Sequence, residues 1–325
     1  MGYSRENFNR IKQEYEDKYI RARENADVRR IKIYVEIPEI AEIDRILERT
    51  GARIMGIVCS GAADAEQKIA KLREENQDLI VKRKNLLESH GYMPDYTDVK
   101  YECEKCGDSG YVGTSMCECM RKKLVLAGYE SSGMSRLMLE QSFDNFDLNY
   151  YKSNPAHYEN MTNVYNIMRS YAEDFKTGCG YNLALFGGTG LGKTHLSSAV
   201  AGRLIERGFD VLYTGAVTML SDFENRRFGT GMSEDGGSVD RYTDCELLII
   251  DDLGTEVVNQ FTVSCIYNVI NTRLSKKLST IISTNLLPAE FRQKYWDRIT
   301  SRVFGEYQVL LFSGNDIRAQ KLKKQ

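Results

Sequence analysis

The sequence predicts an α/β fold: a doubly wound parallel sheet of five strands, preceded by a mostly helical N-terminal region and a small cysteine module. Three observations carry this. From Pro155 onward, short apolar runs alternate with helical stretches, the pattern of parallel strands covered on both faces by crossover helices. Before residue 90, apolar residues recur instead at three- and four-residue steps, one stripe per helix. Between these regions lies a segment holding four of the chain's eight cysteines. The 325 residues accordingly divide into a helical region (1–90), a cysteine module (91–120), a connector (121–150) and the α/β domain (151–325).

In chain order, Phe8, Ile11, Tyr15, Tyr19, Ala22 and Ala26 mark one face of a first helix. Pro38 suits the opening turn of a second, which carries Ile40, Ile43 and Leu47. Gly51, Gly56 and Gly61 then punctuate the chain, and residues 62–88 place Ile69, Leu72, Leu79 and Leu86 on a heptad seam that Asn76 and Arg83 interrupt. Such helices form either a hairpin or small bundle packed on itself, or a docking face for a partner protein. Residues 121–147 read as a polar connector with helical pieces. The expected strands are 183–186, 211–214, 247–250, 280–284 and 309–312. The glycine-rich stretch 228–238 is expected as a mobile loop.

Lys and Arg number 44 against 46 Asp and Glu, a net charge of −2 that excludes a histone-like polycation but leaves room for a local basic patch. No run of apolar residues exceeds four, so no transmembrane helix is expected. The amino terminus has no apolar stretch after its charges, hence no secretory signal. The expected location is cytoplasmic, where thiols are reduced and clustered cysteines bind metal or do chemistry.

Gly187-Gly188-Thr189-Gly190-Leu191-Gly192-Lys193-Thr194 fits the phosphate-loop pattern G-x-x-x-x-G-K-[ST], with a strand-like run before it and a helical run, beginning at His195, after it. Glycines let backbone N–H groups turn onto phosphates, and a helix N-terminus adds its dipole. Lys193 would reach the β- and γ-phosphates of ATP or ADP, and the Thr194 hydroxyl would bind Mg²⁺. The apolar run 247–250 ends in Asp251 and Asp252, delivered to the sheet edge where phosphates sit. Asp251 would serve Mg²⁺, and Asp252 would orient or deprotonate the attacking water. Asn285, after the fourth strand run, would hold that water. Arg298 and Arg302 share one helix face and offer a cation to a neighbouring subunit's phosphate, unless they only pair with surface carboxylates. Arg318 follows the last strand and can close over the same phosphates.

Cys103-x₂-Cys106-x₁₀-Cys117-x-Cys119 has the spacing of a closed, structural Zn²⁺ site. Gly107, Gly110 and Gly113 would supply its turns. A histidine such as His90, or water, is an alternative fourth ligand, and a redox pair an alternative use. Cys59, Cys179, Cys245 and Cys265 are scattered and read as small apolar fillers.

The motifs GGTGLGKT, LLIIDDLGTE, TIISTN, RITSRVFG and NDIR resemble those of AAA+ ATPases, specifically DnaC/DnaI-type replicative helicase loaders and the related IstB transposition ATPases. The resemblance covers roughly residues 140–325, and the front end resembles loaders of Gram-positive type. It implies phosphate binding by Lys193, Mg²⁺ at Thr194 and Asp251, a first sensor at Asn285, an arginine finger given in trans at Arg302 and a second sensor at Arg318. The acidic pair is Asp-Asp where the wider AAA+ pattern has Asp-Glu, as in the loader and IstB branch. Only 13 residues follow Phe312, so the AAA+ fold is expected without its C-terminal lid. The implied function is ATP-dependent loading of a hexameric replicative DNA helicase by a self-associating ATPase that contacts single-stranded DNA. Arg226, Arg227 and Phe228 are the candidate DNA contacts; they and the basic tail KLKKQ are also consistent with a solvated surface. The alternatives are an IstB-like transposition helper or a phage-encoded loader, then a small-molecule P-loop kinase, against which stands the absence of an arginine-rich lid after the third strand. A zinc-dependent binding module with an inactive phosphate loop is the remaining reading.

Overall fold

The computed structural model describes residues 4–59, 64–228 and 239–322. Two compact units make up the chain: Ile11–Met120, and Met1–Arg10 together with Arg121–Gln325.

In the smaller unit, α1 (Arg5–Glu36) gives way at Ile37 to α2 (Pro38–Glu48), whose first residue is the expected proline. Then come α3 (Thr50–Cys59) and α4 (Ala65–Ser89). Ile33, Ile37, Ile40 and Leu87 form a buried cluster, with Tyr34, Leu86, Tyr92 and Tyr96 packed against it. α2 and α3 both pack on α4; α2 and α4 bury Ile40, Ile43, Leu72 and Leu87, whereas α3 only half-buries Ile54 and Ile57. Gly51 and Gly56 do not break the chain: α3 runs through both. A helical glycine costs only about 1 kcal/mol, less than packing an apolar helix on a neighbour returns. The two residues that interrupt the heptad seam are the polar ties of this packing. Asn76 Oδ1 meets Thr50 Oγ1 at 3.1 Å, and Arg83 pairs with Asp44 at 2.7 Å. The unit ends in a two-residue hairpin, β1 (Tyr111–Val112) with β2 (Ser115–Met116), and the start of α5 (Glu118–Ser131).

In the larger unit, α6 (Arg136–Leu139) and a 3-10 turn (Leu148–Tyr151) lead into α7 (Pro155–Asp174). There follow β3 (Asn182–Phe186), α8 (Lys193–Glu206), β4 (Val211–Gly215), α9 (Ala216–Phe228), α10 (Arg241–Asp244) and β5 (Leu247–Asp251). The remainder is α11 (Gln260–Ser275), β6 (Ser279–Thr284), α12 (Pro288–Lys294), α13 (Asp297–Glu306), β7 (Tyr307–Leu311) and α14 (Ile317–Leu322).

The five long strands form one parallel sheet in the order β4-β5-β6-β3-β7. Alternate strand residues supply two cores. Leu183, Leu185, Leu247 and Ile249 meet α7 and α8 on one face; Ala184, Phe186, Leu248 and Ile250 meet α9, α11, α12 and α13 on the other. This is the expected doubly wound AAA+ sheet, with the fifth strand beginning two residues earlier, at Tyr307. The tyrosine ring is buried there and extends the apolar run by one alternation. Residues 229–238 of the expected glycine-rich loop lie outside the described residues, as does the end of the basic tail. No helix among the described residues is long and apolar enough to cross a membrane.

Candidate functional site

Every strand of a parallel sheet ends on the same edge, and here β3, β5 and β6 deliver the phosphate loop, the carboxylates and Asn285 to one cleft. The loop 187–192 leaves β3 and enters α8 with Gly192 as its N-cap. Gly190 sits at φ 76°, and a Cβ there would lie 2.0 Å from Asp316 Oδ1, so only glycine fits. The Ile317 N–H donates to the Gly190 carbonyl at 3.0 Å, which ties α14 to the loop.

Lys193, at the first position of α8, is 5% exposed. Its Nζ donates to the carbonyls of Gly187 (2.6 Å) and Gly188 (2.8 Å) and to Asn285 Oδ1 (2.8 Å). Burial pushes its ammonium below the ordinary lysine range, while the charges of Asp252 and Asp251 oppose that shift. Thr194 Oγ1 donates to Asp251 Oδ2 at 3.0 Å. The same carboxylate accepts from the Tyr213 hydroxyl (2.8 Å) and from Ser283 Oγ. Asp252 takes the left-handed backbone region, φ 54°, uncommon for a non-glycine residue and typical of sites that store strain. Its N–H donates to Ser283 Oγ at 3.1 Å, and its Oδ1 accepts from the Asn285 amide at 3.0 Å. One asparagine thus bridges Lys193 and Asp252.

The cleft measures about 360 Å³ and is lined by the residues of the loop from Thr189 to His195, by Asp252, Asn285 and Arg318, and by Gln141, Asn145, Phe146, Asp147, Tyr150 and Ile317. The stretch 141–150 was expected only as connector. Its aromatic and amide residues form a wall of the cleft, and the aromatic density of FDNFDLNYY was the one signal that marked it. His195 is held from that wall: its Nε2 lies 2.9 Å from both the Ser142 carbonyl and Asn145 Oδ1, and its ring meets Phe146 edge-on at 5.1 Å. Tyr213 and Ser283 were missed as supports of Asp251, because hydroxyls inside strand runs carry no motif.

Residues 130–323, more than half of the chain, match the family described as IstB-like ATP binding protein. The chain belongs to this family. It is similar to the replicative helicase loader DnaC of Escherichia coli K12, 25% identical over 201 residues that cover 61% of this chain and 77% of that protein. With the DnaC of Buchnera aphidicola from Acyrthosiphon pisum it shares 26% identity over 175 residues, 53% of this chain and 66% of the other, just under two thirds of that relative's length. Among solved structures, a crystal structure of the DnaC helicase loader aligns with TM-score 0.46 and 18% identity, over 55% of this chain and 100% of that one. A crystal structure of DnaI aligns with TM-score 0.46 and 20% identity, over 57% and 94%.

In this IstB-like domain the remaining candidates lie apart from one another. Arg318 is exposed at the start of α14 and lines the cleft. Arg302 does not line it. Its guanidinium is held on α11, donating to Asn271 Oδ1 (2.9 and 3.1 Å) and the Tyr267 hydroxyl (2.9 Å) and lying 4.6 Å from the Tyr267 ring centre. Arg298, one turn earlier on α13, is exposed. Arg226 pairs with Asp240 at 2.9 Å, Arg227 lies 5.2 Å from the Phe261 ring centre, and the side chain of Phe228 lies outside the described residues.

In the smaller unit, the four Sγ atoms of Cys103, Cys106, Cys117 and Cys119 all lie within 4.8 Å of one another, with Cys103 to Cys117 at 3.9 Å and Cys106 to Cys119 at 3.6 Å. Sulfurs about 2.3 Å from a tetrahedral zinc stand about 3.8 Å apart, so the set fits that ion. Buried Asp108 braces the first knuckle by accepting the N–H groups of Glu102 and Cys103, each at 2.8 Å. The Cys106 backbone N–H pulls the Cys103 thiol down to about 7. His90 is not part of the cluster: its Nδ1 bonds the Leu86 carbonyl at 2.8 Å at the end of α4. Of the other cysteines, Cys245 and Cys265 are buried fillers as expected, whereas Cys59 and Cys179 are exposed and fill nothing.

Proposed function

We propose that this chain is an ATP-dependent loader of the replicative DNA helicase. The observation that carries the reading is the bridge from Lys193 through Asn285 to Asp252 beside the Thr194–Asp251 pair, in a domain whose relatives are named helicase loaders. Backbone N–H groups of residues 187–192 cradle the phosphates, and Lys193 exchanges its two loop carbonyls for β- and γ-oxygens. Thr194 and Asp251 would hold Mg²⁺, with Tyr213 and Ser283 fixing the carboxylate, and the ion would supply charge neutralisation at the phosphates. Asp252 orients the attacking water and takes its proton, and Asn285 keeps that water against the γ-phosphate. His195 and the 141–150 wall close the nucleoside end. Arg318 senses the phosphates from the same chain. Arg302 would reach a neighbouring subunit's nucleotide, leaving Asn271 to do so, and hydrolysis would then need self-association. The helical region and the zinc module grip the hexameric helicase, and Arg226, Arg227 and Phe228 touch single-stranded DNA.

The deciding experiment mixes the full-length chain with the host's hexameric replicative helicase and ATP. A loader co-elutes with the helicase; failure to associate in either ATP or ADP would sink the reading. Fluorescence anisotropy with single-stranded DNA and ATP should show salt-sensitive binding. The description of the matched family favours one second reading, an IstB-like transposition helper. That protein would bind a transposase and ignore the helicase.

A further inference from the structure

Glu256 is a buried carboxylate, 7% exposed, four residues beyond Asp252, and the chemistry proposed above gives it no role. Its Oε2 accepts the Gly254 N–H at 2.8 Å, and its Oε1 accepts the hydroxyl of Tyr295, itself 2% exposed. Tyr295 caps the C-terminal end of α12 and stands two residues before α13. The Lys294 ammonium, from the same junction, donates to the Gly254 carbonyl. At its other end the loop is fixed to β6 by the Leu253 N–H on the Ser283 carbonyl at 2.9 Å. Gly254, at φ 111°, lies so close to Leu286 that a Cβ would stand 2.8 Å from its Cδ1. The segment from Asp252 to Glu256 is therefore clamped between β6, the strand that ends just before Asn285, and the junction that leads into α13, the helix of Arg298 and Arg302.

We propose that Glu256 is a positioning residue: through Tyr295 and Gly254 it holds Asp252 and the arginine-bearing helix α13 as one piece. The inference rests on the ATPase reading above. A buried carboxylate with two donors can be merely structural, and then its loss would lower stability, nucleotide affinity and turnover together. A positioning role separates them, because misplacing a catalytic group by a fraction of an ångström costs turnover while binding persists.

The test measures steady-state hydrolysis, nucleotide affinity and thermal midpoint for the full chain and three variants. Glu256→Ala should lower kcat by about tenfold to a hundredfold with KM and nucleotide affinity within about threefold of wild type. Glu256→Gln keeps an acceptor oxygen for Tyr295 and should recover most of that loss. Tyr295→Phe keeps the ring and should match Glu256→Ala in direction, and combining Tyr295→Phe with Glu256→Gln should add little to Tyr295→Phe alone. Unchanged kcat in Glu256→Ala and Tyr295→Phe overturns the proposal, as does a fall in kcat that only tracks lost affinity and midpoint. A wild-type chain that binds nucleotide without ever hydrolysing it removes the ATPase reading itself, and the proposal with it.

Discussion

Asp252 is pulled two ways. Partial desolvation in the cleft and the neighbouring charge of Asp251 raise its proton affinity, while Lys193, the Asn285 amide and Arg318 lower it, and the net shift is upward. A raised carboxylate stays protonated to higher pH, and only the ionised form takes a proton from water. Hydrolysis should therefore fall on acidification at a pH above the ordinary aspartate value of about 3.9. Asp252→Asn should lose at least about a hundredfold in turnover, keep nucleotide binding and show no such acid limb. Asparagine-variant turnover that kept the wild-type limb would show that another group titrates. Lys193→Ala should instead lose nucleotide binding itself, since among the described residues no other ammonium lines the cleft; retained affinity for a fluorescent ATP analogue would contradict its phosphate role.

At the level of elements, α11 is anchored in its C-terminal half by two arginines of opposite character. Arg273 is fully buried and donates to the carbonyls of Tyr242, Cys245 and Ser279 and to Thr280 Oγ1, binding α10, its C-cap and β6 to one guanidinium. Arg273→Met would strand those acceptors and should cost about 3 kcal/mol or more in denaturant unfolding. A loss below about 1 kcal/mol would mean that the acceptors find other donors. Arg302 holds α13 to α11 with half-exposed contacts that it can give up. Arg302→Ala should abolish hydrolysis and spare nucleotide binding, and mixing it with Asp252→Asn subunits should restore part of the activity. No recovery in the mixture would refute action in trans, and loss on Arg298→Ala instead would move the role to the exposed arginine. The strands, the phosphate loop, Asp251, Asp252 and Asn285 were legible because parallel strands buried on both faces read as apolar runs, and their chemistry sits at the run ends. Tyr213, Ser283 and the Gln141–Tyr150 wall were not, since a supporting hydroxyl or a cleft wall is defined by what folds against it. The path of α3 through Gly51 and Gly56 was hidden for the same reason: packing on α4 outweighs propensity.

At the scale of the whole molecule, every residue lining the nucleotide cleft belongs to the larger unit, and all four metal-spaced cysteines belong to the smaller. A net charge of −2 on 325 residues agrees with a surface that meets mostly protein, with any DNA contact confined to a few placed cations. Besides the Ile33–Leu87 cluster the smaller unit buries Ile11, Tyr15, Ile43, Leu72 and Met120, but its cysteine segment, residues 91–120, is too short to build a core of its own, and segments of that size depend on metals. The full chain should therefore carry one zinc, and a strong chelator should remove far-UV helical signal belonging to the smaller unit. Nucleotide affinity should stay within about threefold, because none of its ligands is touched. Helicase association should be lost in the same titration. The pH dependence follows from the thiols: each must shed its proton to bind, so affinity for zinc falls on acidification. Cys103, held down to about 7, keeps its thiolate to lower pH than an ordinary thiol, and Cys103→Ser should weaken the metal while leaving hydrolysis by the larger unit in place. Chelation that strips the metal yet leaves both the circular dichroism and helicase binding unchanged would show that the cluster supports neither fold nor partner.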